Sequence, residues 1–82
     1  MKIYKPNGKC NISGTKIKSA REQLKISQEQ LAAKIQLEGL SITQKAISRI
    51  ETGERVVADY ELLYFSHALS ISIYSLLNLE EL

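Results

Sequence analysis

Punctuation constrains this chain more than any other feature. Residues that start helices and glycines that stop them cut the sequence into short segments. Within each segment the apolar residues recur at spacings of three and four, the period of a helix with one buried face. Ser27 followed by Gln30 has the form of a capping box, and Thr43 and Ser72 are good N-caps. Gly39 and Gly53 close the segments that Ser27 and Thr43 open. No segment shows the alternation of a half-buried strand, so the expected fold is all-α.

Five helices are predicted. The first covers residues 13–25, with Ile17, Ala20 and Leu24 in one stripe. The second runs from Ser27 to Leu37 or Glu38, with Leu31, Ala32 and Ile35 apolar and Gly39 as a left-handed cap. The third follows Thr43 and spans 44–52, with Ala46, Ile47 and Ile50 apolar. The fourth spans 59–69, with Leu62, Phe65 and Leu69 inward. Ala58 holds its N-cap place, which leaves Asp59 to cap one residue late. The fifth is short, from Ser72 to about Leu77.

The chain has 82 residues, 44% apolar and 24% charged, which suits one small globular domain. No apolar run approaches the roughly 18 residues of a membrane span. Lys2, Lys5 and Lys9 are followed by no apolar stretch, so no secretory signal is read and a cytoplasmic location is expected. Cys10 is the single cysteine, which precludes an internal disulfide or a multi-thiolate zinc site. His67 is the single histidine. Without a His, Cys and carboxylate cluster or a glycine-rich phosphate loop, neither an enzyme nor a cofactor or metal is expected.

Net charge is +2, but it is divided. Residues 1–57 hold all eleven Lys and Arg against five acids, a balance of +6. Residues 58–82 hold four acids and no base, a balance of −4. Such a split suggests one face for a polyanion and another for something else. On charge alone that polyanion is either nucleic acid or an anionic membrane. A membrane binder needs a basic amphipathic helix with a spare apolar face. The first helix comes closest, and its stripe is needed for the core.

The third helix carries the clearest chemistry. Gln44, Lys45, Ser48 and Arg49 form a face of hydrogen-bond donors with no acid among them. An α-helix fits the major groove, where a glutamine amide can bond adenine N6 and N7 together. Lys45 can donate to guanine O6 and N7 or to a phosphate, and arginine often serves phosphate. The N-terminus of the second helix favours an anion through its free N–H groups.

From Ser13 to Leu77 the sequence resembles the phage-repressor and Cro-type (XRE) helix-turn-helix family. The residues that carry the likeness are Ile17 and Arg21, then Ser27-Gln28-Glu29-Gln30-Leu31-Ala32. They continue with Thr43-Gln44-Lys45-Ala46-Ile47-Ser48-Arg49-Ile50-Glu51-Thr52-Gly53, and with Leu62 through Leu69 and Ser72. One departure stands out. Leu31 and Ile47 are sixteen positions apart, five more than the family's usual spacing. The extra residues are expected to add a turn to the second helix and a longer loop over 39–42, packed by Leu37, Leu40 and Ile42.

The resemblance implies a compact five-helix, lambda-repressor-like domain with a lengthened connection between the second and third helices. Residues 1–12 form a basic arm, 13–77 the DNA-binding domain, and 78–82 a short acidic tail. In the arm, Lys2, Lys5 and Lys9 either follow DNA or form a solubilising tail. The implied function is sequence-specific binding of double-stranded DNA by a transcriptional regulator, expected to be a repressor. Gln44, Lys45, Ser48 and Arg49 are the implied base readers. Ser27, Gln28, Thr43, Thr52 and Arg55 are the implied phosphate contacts, and Arg21 with Glu51 an implied structural ion pair. The implied partner is a two-fold symmetric operator, bound by a homodimer through the C-terminal helices. Tyr60, Tyr64, Tyr74, Leu76 and Leu77 are the candidate interface residues. A regulatory protein partner is also open. The competing reading is a protein-interaction module, such as an antitoxin or anti-repressor component, with or without DNA binding.

Overall fold

The computed structural model describes residues 5–79. A 3-10 turn over Pro6–Gly8 precedes α1 (Gly14–Gln23), α2 (Gln28–Leu37), α3 (Gln44–Glu51), α4 (Asp59–Leu69) and α5 (Ile73–Leu76). No strand occurs among the described residues. Lys2 of the arm and residues 80–82 of the acidic tail lie outside the described residues.

The caps explain the boundaries. Ser27 Oγ accepts from the Gln30 N–H at 3.0 Å, and Gln30 Oε1 accepts from the Ser27 N–H at 2.7 Å. This reciprocal pair satisfies donors that a helix start otherwise leaves unused. Thr43 Oγ1 accepts from the Ala46 N–H, and Ser72 Oγ from the Ser75 N–H, both at 3.1 Å. α4 differs from expectation: its N-cap is Ala58, and Asp59 is the first helical residue. Ala58 has no side-chain acceptor for the first-turn N–H groups, and Glu61 makes only the returning half of a capping box, accepting from the Ala58 N–H at 2.9 Å. α1 ends two residues early, because Lys25 takes a left-handed conformation and turns the chain.

The helical stripes meet in one core. Ile17 of α1, Leu31 and Ile35 of α2, Ile47 and Ile50 of α3, Phe65 of α4 and Leu76 of α5 are fully buried. Ala20, Ala32, Ala68 and Leu69 fill the space between them. Leu24, expected in the α1 stripe, is the C-cap and stays 44% exposed.

The lengthened connection packs through only part of its apolar set. Ile42 is buried, and Leu40 rests against the core. Gln36 Nε2 donates to the Ile42 carbonyl at 2.6 Å and ties the loop to α2. Leu37, expected to pack the added turn, is instead 89% exposed. It lies two residues past buried Ile35, about 200° around the helix, so it faces away from the core. Leu76 corrects the expectation in the opposite direction. Placed in a candidate interface by sequence, it is wholly buried inside the domain.

Two close contacts fix the far end of α3. Gly14 sits in the first turn of α1 directly against the Ile50 carbonyl, where a Cβ would collide with that oxygen. Asn11 spans the same junction. Its Nδ2 donates to the carbonyls of Ile50 (3.0 Å) and Arg55 (2.7 Å), while its Oδ1 accepts from the Gly14 N–H (2.8 Å).

Candidate nucleic-acid interface

α2 and α3 are held together by a chain of polar side chains that begins in the scaffold and ends on the exposed face of α3. Arg21 of α1 donates from Nε to Glu51 Oε2 at 2.7 Å and from Nη2 to Glu51 Oε1 at 3.0 Å. Its Nη1 donates to the Ile26 carbonyl at 2.9 Å, which anchors the loop between α1 and α2. The Glu51 side chain is only 2% exposed. The hydrogen bond to that carboxylate raises the Arg21 pKa above its usual value, against the opposing effect of burial. Removing one partner of a buried pair leaves the other charged and unpaired, at a cost of about 3–5 kcal/mol.

Glu51 also accepts from Gln28 Nε2 at 2.9 Å. An ionised carboxylate only accepts, so this bond fixes which end of the Gln28 amide faces it. The Gln28 oxygen is thereby directed elsewhere, and it accepts from Gln44 Nε2 at 2.6 Å. The same logic sets Gln44. Its nitrogen faces Gln28, and its oxygen and one N–H remain available. One acceptor beside one donor is the set that a bidentate bond to adenine requires.

The rest of the face is open. Lys45 and Arg49 are exposed, and neither is bonded to an acid among the described residues. Ser48 is half-buried beside them. At the start of α3, the Thr43 oxygen is engaged as the cap and its hydroxyl hydrogen remains a donor. Ser27 stands likewise at the start of α2.

Beyond α3 the side chains are more committed than their sequence suggests. The Thr52 hydroxyl has the Ser48 and Arg49 carbonyls and Glu54 Oε2 within 3.2 Å, three acceptors for one hydrogen. Arg55 makes a two-pronged bond to Glu61, with Nη1 and Nη2 each 2.9 Å from a carboxylate oxygen. Nη1 also donates to the Val56 carbonyl. This leaves Nε–H and one Nη2 hydrogen. The bond to Glu61 raises the Arg55 pKa and holds the Glu61 carboxyl below the usual carboxylate range.

Sequence reasoning missed Asn11 and Glu61, and it missed the bridging role of Gln28. Asn11 had only a weak signal, an asparagine just before a helix, since Ser13 holds the N-cap position and Asn11 bonds the N–H of the first helical residue. Glu61 had one too, as the glutamate at the third position of α4. Among the described residues, no cluster of His, Cys, Asp and Glu is placed to hold a metal ion. None of the described helices is long and apolar enough to cross a membrane.

The model of the helix-turn-helix family matches residues 17–76, a span from the middle of α1 to the end of α5. Neither the curated proteins nor the solved structures contain a significant match to the chain.

Proposed function

The chain belongs to the helix-turn-helix family, a family of DNA-binding transcription regulators, and on that premise we propose that it is a sequence-specific repressor that reads an operator with α3. The observation that carries this reading is the Gln28–Gln44 bond of 2.6 Å, with Glu51 behind it. A helix face meant only for solvent has no need of an amide whose orientation is set through two other side chains.

In this reading α3 lies in the major groove with Gln44 foremost. Gln44 pairs with an adenine, and Lys45 donates to a neighbouring guanine or phosphate. Ser48 and Arg49 contact bases one turn later. Ser27, Gln28 and Thr43 meet the phosphates at the two helix starts. Thr52 and Arg55 meet those beyond α3, Thr52 by turning its one hydroxyl hydrogen away from the carbonyls and Glu54, Arg55 through the hydrogens that Glu61 leaves unused. Phosphate contacts set the register, and base edges supply the specificity.

One helix spans few base pairs, so a homodimer on two half-sites about 34 Å apart completes the proposal. Tyr60 and Tyr74, at 57% and 64% exposed, are its centre. Tyr64 and Leu77 are half-buried and flank it, whereas buried Leu76 takes no part. The protein acts where duplex DNA is, in the cytoplasm.

Selection from random duplex DNA tests the reading. A two-fold symmetric consensus with half-sites one turn apart supports it. Absence of any enrichment, together with capture of a specific protein partner by the same preparation, would favour the interaction-module reading instead.

A further inference from the structure

The turn that follows α3 presents an electrostatic problem. It contributes Glu54, and its one cation, Arg55, is paired with Glu61. Taken alone, these three side chains leave one excess negative charge, which would repel a phosphate rather than bind it. A surface that meets DNA there needs a cation from another part of the chain.

The segment before α1 brings one. The Cys10 N–H donates to the Gly53 carbonyl at 2.8 Å, so the chain is bonded to this turn. The methylene stem of Lys9 lies flat against Gly53. A Cβ added to Gly53 would meet Lys9 Cδ at 2.8 Å, Cγ at 2.9 Å and Cβ at 3.0 Å. Lys9 itself is exposed, and no acid among the described residues pairs with it. Asn11 holds the segment in place by spending both Nδ2 hydrogens on carbonyls at either side of the turn, those of Ile50 and Arg55. An aspartate has no hydrogen to donate there, and an alanine has no polar group at all.

We propose that Lys9 is a DNA phosphate-binding residue, and that Asn11 is the positioning residue that docks it against the turn after α3. The inference rests on the DNA-reading function proposed above. It separates Lys9 from a flexible basic arm, because Lys9 is fixed to the same scaffold as the recognition helix. It also makes the N-terminal segment a second brace on α3, at the end opposite the Gln28–Gln44 contact.

The test is a salt series of binding to the selected duplex, with the parent, Lys9→Gln, Asn11→Ala and the double variant. Lys9→Gln keeps the Cβ and Cγ methylenes against Gly53 and sets its amide carbon at the Cδ position, so its melting temperature should stay close to the parent's. Its log–log salt slope should be shallower by about 0.9, the loss of one phosphate contact. Equivalently, the parent's advantage should shrink about 3.5-fold between about 50 and 200 mM salt. The selected consensus should not change. Asn11→Ala should lose the same part of the slope, and adding Lys9→Gln to it should change little more, as expected for coupled residues. Should Asn11→Ala fail to fold, Lys9→Gln decides alone. A parental slope in Lys9→Gln, with Lys45→Gln still lowering it, would overturn this inference and leave the DNA reading intact. A parent that binds no duplex at any salt would overturn both.

Discussion

Gln44 Nε2 stands 2.6 Å from Gln28 Oε1, and Gln28 reaches back to buried Glu51 at 2.9 Å. The amide at the tip of α3 is therefore oriented before any ligand arrives. Preorganisation of this kind reduces the ordering cost of binding. Gln28→Ala releases the Gln44 amide to rotate. We expect about tenfold weaker binding to the preferred site, the equivalent of about one hydrogen bond, and weaker discrimination at one base position. Competition with single-base variants of the site checks this. Unaltered discrimination would mean that the bond to Gln28 does not orient the reader.

Glu51 receives three hydrogen bonds at the end of α3, two from Arg21 and one from Gln28. Glu51→Ala leaves the partly buried Arg21 guanidinium with no countercharge. The expected loss is about 1–3 kcal/mol of folding stability, less than for a fully buried pair, read from urea unfolding. Glu51→Gln should cost less, because it retains an acceptor. Equal stability in Glu51→Ala and the parent would contradict the role given to the pair.

Helix starts were legible in the sequence because the groups that settle them lie within three residues. Ser27, Thr43 and Ser72 compete locally for backbone N–H groups, and their capping bonds follow. The α4 span was legible for a similar reason, although its N-cap is Ala58 rather than Asp59, with Glu61 bonding back to the Ala58 N–H. Leu37 was legible from the helical period, which sets it about 200° from Ile35 and away from the core. Leu76 was not, because only the packing of α5 against distant helices decides that it faces the core. At the candidate site, Asn11 contacts residues 39 and 44 positions away, a separation that no local pattern reports. Arg55 reads as an open cation until the fold sets Glu61 beside it.

The Arg55–Glu61 pair gives the fold a dependence on pH. The folded state holds the Glu61 carboxyl below the usual carboxylate range, chiefly through its bond to Arg55. The unfolded chain therefore binds that proton first as pH falls. The stabilisation is complete above the usual carboxylate range and is lost as pH drops through the lower, folded value. Unfolding midpoints measured from neutral pH down to about pH 3 should fall less in Glu61→Gln than in the parent. Parallel curves would show that the pair does not contribute.

The same pairing bears on DNA. Much of the Arg55 charge is already neutralised, so Arg55→Ala should reduce the salt slope by less than the roughly 0.9 of a full phosphate contact. Arg49→Ala or Lys45→Gln should each approach that value if the lost contact is to phosphate. A full-sized change from Arg55→Ala would show that DNA draws Arg55 away from Glu61.

Gly14 reports on the junction between α1 and α3. Gly14→Ala sets a methyl group against the Ile50 carbonyl, so one helix must shift. We expect about 1–3 kcal/mol of destabilisation, although alanine is the better helix former. A more stable variant, measured by thermal unfolding, would mean that the two helices separate without cost.

The proposed recognition of DNA depends on Gln44 reading a base. Its most direct test is repeating the duplex selection with Gln44→Ala and comparing each position of the consensus with the parent's. We predict that one adenine-bearing position in each half-site loses its preference, that the others keep theirs, and that binding to the parental site weakens by about 1–3 kcal/mol. An unchanged consensus, or a loss spread evenly over all positions, would contradict it.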